Sequence, residues 1–264
     1  MRYECRVETG ALAMFDALGI RGIWLKHDPD DVVRKLERIA LSARDLVERE
    51  FGGPGYPNTR DPWNVAETIR LGFVSDTIVV GFVTKDERDP AFAVMMAARY
   101  ATEIALLGLE PPAPWAYRGV VTYGKFAMHA SGNFFVGPAV DEAAADHERA
   151  NAALTWLTPS AGSLVAGADD SHFQGAVHKR EYEFPLKCAG DMSAHRALVA
   201  SPFPIGSPPT EAASIAAALL ATFDVSKPGV DEKLRNTKKF LEEHLQEHAA
   251  IWAEQRAQIR KFYP

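Results

Sequence analysis

The stretch Ala-Met-Phe-Asp-Ala-Leu-Gly-Ile at residues 13–20 decides the fold predicted for this chain. It is an apolar run interrupted by one carboxylate, Asp16, and a second such run at residues 73–80 contains Asp76. A carboxylate beside a buried strand is costly unless hydrogen bonds or a cation share its charge. Two of them on neighbouring strands would form an oxygen-rich site suited to Mg²⁺ or Mn²⁺. Taken singly, each aspartate also fits a turn former or a helix cap.

The residues around the aspartates favour the metal interpretation. Gly19 and Gly22 follow Asp16 and allow backbone N–H groups to approach an anion closely. Asp76 lies between two β-rich runs, as in a hairpin whose tip faces a neighbouring strand. A divalent cation held there would bind the phosphates of a nucleotide.

The composition predicts one large soluble domain. Of 264 residues, 47% are hydrophobic and 24% charged, which is enough to bury a substantial core. The net charge is −6, and basic residues are scattered apart from Lys238-Lys239, which argues against a nucleic-acid partner. Cys5 and Cys188 fit no disulfide or metal framework, and the first residues lack a signal peptide. The longest apolar segment, taken as residues 212–223, is too short to span a bilayer, so we expect a cytoplasmic protein.

Strand and helix patterns alternate along the chain. The spacing of apolar residues predicts helices over 31–51, capped by Asp30 or Asp31, and over 90–108 and 139–157. Strands are predicted at 10–18, 66–74, 77–84, 118–126, 133–136, 162–166, 177–187 and 194–200. The order βαββαβ predicts an α+β fold, a ferredoxin-like palm over residues 1–205, followed by a helical extension over 206–264.

Five segments, in the correct order, resemble motifs of the class III nucleotidyl (adenylate/guanylate) cyclases. Residues 15–20 resemble their first metal-binding segment, of the Phe-x-Asp-Ile-x-Gly-Phe-Thr type, and residues 74–76 resemble the second. Residues 118–124 resemble the Arg-x-Gly-Ile-x-x-Gly strand, 135–144 the glycine and helix after it, and 185–187 the late Val-Lys-Gly strand. The resemblance covers roughly residues 8–200.

Within that superfamily, the chain is most similar to the pyrimidine cyclases of the bacterial Pycsar antiphage defence system. The similarity is carried by Ser-Asp-Thr-Ile-Val-Val at residues 75–80 and by Phe-Phe-Val-Gly-Pro-Ala-Val-Asp-Glu-Ala-Ala at residues 134–144. It implies that the 3′-oxygen of a nucleoside triphosphate attacks the α-phosphorus and releases pyrophosphate and a 3′,5′-cyclic nucleotide. The product would be a second messenger read by a separate effector protein.

The resemblance also assigns the site residues. Asp16 and Asp76, with the Ala17 carbonyl, would hold two Mn²⁺ or Mg²⁺ ions per site. Substrate contacts would come from four residues of the first metal-binding segment: Phe15, Leu18, Gly19 and Ile20. The enzyme would be a homodimer with shared active sites, in which Asp16 and Asp76 of one chain face Phe134 and Lys187 of its partner.

The chain departs from purine cyclases at four positions. Asp141 and Ala145 replace the Asn and Arg that orient the ribose and stabilise the transition state. Gly72 and Phe134 replace the residues that read a purine, which leaves room for Arg70 to reach a pyrimidine carbonyl. The transition-state cation would then come from a different residue, the candidates being Arg118, Lys125, Arg149 and Lys187.

These departures leave several functions open. UTP is favoured as substrate, giving cyclic UMP, and a cytidylate cyclase making cyclic CMP is the nearest alternative. A non-catalytic nucleotide-binding regulatory module of the same fold would explain the missing Asn and Arg. A metal-dependent phosphohydrolase is a third possibility. His244 and His248 have the i, i+4 spacing of metal ligands, but their acidic neighbours predict a solvated helix face.

Overall fold

A computed structural model defines the fold of most of the chain. It describes residues 5–18, 20, 22–51, 69–74, 76–84, 90–111, 113–129, 134–166, 175–178, 180–187 and 194–262. The predicted site residue Gly19 lies outside these ranges, as do residues 66–68 of the strand predicted at 66–74.

The centre of the fold is an antiparallel sheet built around β1 (Cys5–Leu18). β1 pairs with β3 on one side and with β4 on the other, and β2 pairs with β3 at the edge. These strands are β2 (Ile69–Val74), β3 (Thr77–Val83) and β4 (Ala116–His129). β5 (Phe135–Val136) and β6 (Thr155–Leu157) both pair with β4, β6 in the parallel direction. The order β2-β3-β1-β4 is that of a ferredoxin-like palm, so the predicted fold class is confirmed.

Each face of the sheet packs into its own core. Alternate residues of β1, such as Ala13 and Phe15, face α1 (Pro29–Phe51) and α2 (Pro90–Leu109). The intervening residues, such as Leu12 and Met14, form a second core with residues of the helices that follow the sheet. These helices are α3 (Pro138–Asp146), α5 (Pro209–Ala221) and α6 (Val230–Phe262). The helices after residue 206 therefore cover the face of the sheet that carries Asp16.

The chain between α3 and α5 differs from the sequence prediction. The predicted helix 139–157 ends at Asp146, and residues Thr155–Leu157 form β6 instead. The predicted strand at 162–166 is a short helix, α4 (Pro159–Val165), with proline in its first turn. The strands predicted at 177–187 and 194–200 shorten to β7 (Tyr182–Pro185) and β8 (Ala194–Ala197), which form a separate two-stranded sheet.

Two smaller expectations about helices are also corrected. α1 begins at Pro29, and the Asp30 N–H donates to Asp28 Oδ1 at 2.8 Å, so Asp28 caps the helix rather than Asp30 or Asp31. In the described part of the chain α2, rather than residues 212–223, is long and apolar enough to cross a membrane. Its residues Met96, Tyr100 and Ile104 are almost fully buried, as in the core helix of a globular domain.

Two glycines of β4 provide a matched test of strand packing. A Cβ at Gly119 would lie 2.5 Å from Phe15 Cδ1 and 2.6 Å from the Met14 oxygen, whereas at Gly124 the nearest atom is 3.6 Å away. We expect Gly119→Ala to lower the free energy of unfolding by about 1–3 kcal/mol, because the backbone oxygen of Met14 cannot move without disturbing β1. Gly124→Ala should change it by less than about 1 kcal/mol. Urea unfolding of both variants measures the difference, and equal losses would contradict the assignment of close packing at Gly119.

Candidate active site

Asp16 forms a buried ion pair with Arg118 at one end of the sheet. The two residues face each other across β1 and β4. Arg118 Nε and Nη2 donate to Asp16 Oδ2 at 3.0 and 2.7 Å, and the residues are only 9% and 4% exposed. Glu148 Oε2 lies 3.5 Å from Arg118 Nη2. The hydrogen-bond network expected around a buried carboxylate is therefore supplied by a guanidinium group.

Asp76 lies at the same end of the sheet. It occupies the turn before Thr77, which pairs with Asp16 across β1 and β3, and it is partly exposed. Burial, together with the negative charges of Asp76 and Asp16, raises the pKa of Tyr117, which pairs with Ala17. We call this region, with Asp16, Asp76 and Arg118, the aspartate end of the sheet. The sequence prediction that the two carboxylates lie on neighbouring strands agrees with this arrangement.

The donor atoms at the aspartate end suit a hard divalent cation. Two carboxylates and the Ala17 carbonyl are oxygen donors, and Mg²⁺ in nucleotide sites commonly uses one or two carboxylates together with substrate phosphates. Among the described residues no group of three or more His, Cys, Asp or Glu side chains could hold a metal ion. Two carboxylates and one carbonyl are too few ligands for such a cation by themselves, so a bound phosphate would have to complete its coordination.

Two lysines bring positive charge to the aspartate end. Lys187 follows β7, and Lys233 lies in the first turns of α6. Burial, then the nearby charges of Arg118 and Lys233, lowers the pKa of Lys187 to about 8. Burial and then Arg118 lower the pKa of Lys233. The negative charge of Asp16 acts on both lysines, so Lys187 lies within electrostatic range of the Asp16 of its own chain, whereas the resemblance implies that it faces the partner's.

The residues that end β1 are mostly core residues. Phe15 is fully buried and packs edge-on against Tyr100 with the ring centroids 5.8 Å apart, so its side chain is a core group rather than a substrate contact. Leu18 and Ile20 are at most 9% exposed, and Ile20 accepts a backbone hydrogen bond from Ile23 N at 2.8 Å. Their side chains belong to the two hydrophobic cores, so contacts to substrate from this segment would come from its backbone.

The residues expected to read the base lie at the other end of the sheet, which we call the distal end. The backbone of Arg70 pairs with Gly81, level with Leu12, and its side chain extends away from the aspartates to donate to Glu8 Oε1. Glu8 lies eight residues before Asp16, about 27 Å along β1. Phe134 is half exposed beside the far end of β4, where its carbonyl accepts from His129 N at 3.1 Å. The structure therefore brings neither Arg70 nor Phe134 to the aspartates of the same chain.

The other cations considered for the missing transition-state arginine are less well placed than Arg118. Lys125 is exposed and pairs with Thr9, toward the distal end. Arg149 forms an ion pair with Asp146 at 2.6 Å. Asp141 and Ala145, which occupy the motif positions, are both exposed on α3. Of the four candidates, Arg118 and Lys187 are the two whose charged groups act on Asp16.

The two histidines of α6 are buried, contrary to the solvated face predicted from their acidic neighbours. His244 Nδ1 lies 2.7 Å from the Phe240 oxygen, and its ring centroid is 3.7 Å from that of His178. Burial and then His178 lower the pKa of His244 to about 3. His248 Nε2 lies 2.8 Å from the Ser207 oxygen. These contacts attach α6 to the segments at 175–178 and 201–207.

Comparison with solved structures assigns the fold. The catalytic core of a rhodopsin-guanylyl cyclase with converted specificity, solved in complex with ATPαS, superposes with a TM-score of 0.50 at 13% identity, covering 75% of this chain and 98% of that one. This chain has a nucleotide cyclase fold. The adenylyl cyclase CyaB from P. aeruginosa gives a TM-score of 0.49 at 12% identity over 76% of this chain and 98% of its own. No protein-family model and no curated protein matches the sequence.

Sequence reasoning missed three features of this cyclase fold. The Asp16–Arg118 pair joins residues 102 positions apart, which the register of β1 and β4 places opposite each other. Glu8 gave no signal because a single glutamate near the start of a strand is ordinary. Lys233 was hidden in a charged helix whose other lysines are solvated. The first could be inferred from the cyclase motifs, since both belong to quoted segments, but the other two could not.

Proposed function

We propose that the chain is a nucleotide cyclase that converts a pyrimidine nucleoside triphosphate, UTP ahead of CTP, to a 3′,5′-cyclic nucleotide and pyrophosphate. The observation that carries the proposal is the aspartate end, where two carboxylates and an arginine meet at the end of the central strands of a cyclase fold. If the Asp16–Arg118 ion pair served only to stabilise the fold, it would need neither Asp76 at the same end of the sheet nor two lysines within electrostatic range.

The reaction needs little covalent chemistry from the protein. The 3′-oxygen forms a bond to the α-phosphorus, its proton is lost, and the bond from the α-phosphorus to the bridging oxygen breaks to release pyrophosphate. Bound Mn²⁺ or Mg²⁺ lowers the pKa of the 3′-hydroxyl and neutralises phosphate charge. Asp16, Asp76 and the Ala17 carbonyl would hold it. Arg118 and Lys187 place positive charge where the charge of the α-phosphate and of the leaving pyrophosphate develops.

The Arg70–Glu8 pair supports uracil as the base. Glu8 Oε2 is buried and has no hydrogen-bond partner among the described residues, while Oε1 is bound by Arg70. Once the Glu8 side chain turned this unpaired oxygen toward a bound base, the oxygen would accept the N3–H of uracil, and the neighbouring guanidinium would donate to a uracil carbonyl. Cytosine presents an acceptor at N3, so its lone pair would face the carboxylate. A site of this pattern rejects cytosine because its buried polar groups stay unpaired.

The distance between the two ends supports a homodimer with shared sites. The β1–β4 ladder runs from Asp16 opposite Arg118 to Cys5 opposite His129, about 37 Å along the strands. No nucleotide in one chain can therefore contact both Asp16 and Phe134. Two copies in antiparallel orientation would place the distal end of one against the aspartate end of the other, giving two equivalent sites. The half-exposed Phe134 and Val136, at 49% and 43%, are apolar groups available for such an interface.

Competition between substrates tests the proposal. We expect the purified protein, given equal ATP, GTP, CTP and UTP with Mn²⁺, to form cyclic UMP as the main product, identified by mass together with pyrophosphate. Glu8→Gln should lower the ratio of cyclic UMP to cyclic CMP about tenfold, because the amide can donate to cytosine N3. Arg70→Ala should lower the same ratio.

The alternatives give different results in this assay. A dominant cyclic CMP product would make the chain a cytidylate cyclase. Binding without turnover would indicate a non-catalytic nucleotide-binding module, and release of inorganic phosphate without a cyclic product would indicate a phosphohydrolase. A UTP preference unchanged in both Glu8→Gln and Arg70→Ala would place base recognition elsewhere. By the resemblance to Pycsar cyclases, we extend the proposal to a cytoplasmic messenger made in response to phage and read by an effector protein.

A further inference from the structure

A cavity of about 150 Å³ lies where the end of β1 meets the C-terminal helices. Its lining includes Leu18, which lies two residues beyond Asp16, together with Trp115, Lys227 and Lys233. Lys26 contributes a third ammonium group. A cavity of this size is smaller than the roughly 300 Å³ of a pocket for a whole drug-sized ligand, so it suits a fragment such as a phosphate chain.

The charge of the cavity favours an anion. Three lysines line it against one carboxylate, Asp224. Asp224 Oδ2 lies 3.9 Å from Lys26 Nζ and 4.0 Å from Lys227 Nζ, and pairs this long and this exposed are weak. Among the described residues, the ammonium of Lys233 has no hydrogen-bond or ion-pair partner, although it is half buried. Lys233 therefore carries a desolvated charge that a bound anion would compensate.

Hydrogen bonds hold Lys233 in this place. Asn236 Nδ2 donates to the Asn151 oxygen at 3.0 Å, and Thr237 Oγ1 accepts from Ala153 N at 2.9 Å. The residues that Asn236 and Thr237 bind directly follow Ala150, whose oxygen lies 3.5 Å from Arg118 Nη1. The first turns of α6 are thus anchored to the chain segment that adjoins the Asp16–Arg118 pair.

We propose that the C-terminal helices complete the active site of their own chain, with Lys26, Lys227 and Lys233 forming a subsite for the polyphosphate of the substrate and for the pyrophosphate product. The proposal rests on the proposed function for the identity of the anion. Lys233 contacts the phosphate chain, while Lys26 and Lys227 close the cavity around it. A helical extension added to the palm thus supplies phosphate-binding charge in place of a residue of the palm itself.

Calorimetric titration of the full-length protein with pyrophosphate, and with tripolyphosphate, tests the subsite without any nucleoside. We expect Lys233→Met and Lys227→Met each to weaken binding of both anions about tenfold or more, because each removes a charged donor. Lys238→Met is the matched control: its side chain is 61% exposed on the same helix and pairs with Glu242 at 3.8 Å, so binding should not change. Thermal unfolding of each variant verifies that α6 remains docked.

The outcomes separate this inference from the proposed function. If the wild-type protein did not bind pyrophosphate, or if wild type and Lys233→Met bound it equally, the subsite would be overturned. Neither result would decide cyclase activity, which the substrate competition assay measures separately. Loss of binding in the lysine variants of a protein that makes no cyclic nucleotide would support the subsite and refute the cyclase. Should Lys233→Met fail to fold, the more exposed Lys227 gives the same test.

Discussion

Asp16→Ala is expected to abolish formation of the cyclic nucleotide and, in addition, to destabilise the fold. Activity should fall at least about a hundredfold, because the central oxygen donor of the site is lost. The free energy of unfolding should fall by about 3–5 kcal/mol, because the Arg118 guanidinium stays buried without its partner. Pyrophosphate release and urea unfolding measure the two effects separately.

Two further variants separate the catalytic loss from the structural one. The double variant Asp16→Ala with Arg118→Met removes both buried charges and should regain most of the stability without regaining activity. Asp76→Ala should lose activity with an unfolding free energy within about 1 kcal/mol of wild type, since Asp76 is partly exposed in a turn. Either single aspartate variant that keeps near wild-type turnover would contradict the metal assignment.

Mixing two inactive variants should restore activity if each site uses two chains. Asp76→Ala inactivates the aspartate end of its own chain. Phe134→Asp alters the distal end, and it should not unfold the chain because Phe134 is exposed. After subunit exchange in equal amounts, half of the dimers are heterodimers with one intact site, so activity should return to about a quarter of the wild-type value. Cyclic nucleotide formed per chain measures the recovery.

The matched control for this experiment combines two defects at the same end. Asp76→Ala mixed with Asp16→Asn should stay inactive, because every site in the heterodimer lacks one aspartate. Recovery in this control would show that Asp16 and Asp76 of one site come from different chains. No recovery with Phe134→Asp, despite subunit exchange shown by labelled chains, would mean that each site is built within one chain.

The sequence predicts the sheet and its flanking helices well because their signals are long. The apolar run ending in Asp16 and the helical spacing over α1 and α2 persist for many residues, so their periodicity is clear. The segment after α3 fails because alanine-rich residues 139–157 suit a helix by propensity, whereas the three residues of β6 gain their stability from pairing with β4. A strand of three residues is too short to show the alternation of apolar and polar residues by which strands are predicted.

The candidate site also contains some features that the sequence predicts and others that it does not. Asp16 and Asp76 could be paired from the sequence because each sits in a recognisable apolar run, and the cyclase motifs strengthened the pairing. That Lys187 lies within electrostatic range of Asp16 of its own chain depends on how β7 and β8 fold back, which no local sequence pattern indicates. The burial of His244 and His248 depends on how α6 packs against the rest of the chain. The prediction from their acidic neighbours, that both histidines lie on a solvated face of the helix, was therefore wrong.

The Asp16–Arg118 pair has a consequence for the order in which substrate and cation arrive. Arg118 Nε and Nη2 already bind Asp16 Oδ2, and Glu148 Oε2 lies 3.5 Å from the same guanidinium, so the buried carboxylate has a cationic partner before any ligand binds. Under the proposed function, a divalent ion that arrived alone would have to displace this guanidinium to bind Asp16. A nucleotide that carried its own ion would instead offer its phosphates to Arg118 as new partners, and this would leave Asp16 available to hold the ion.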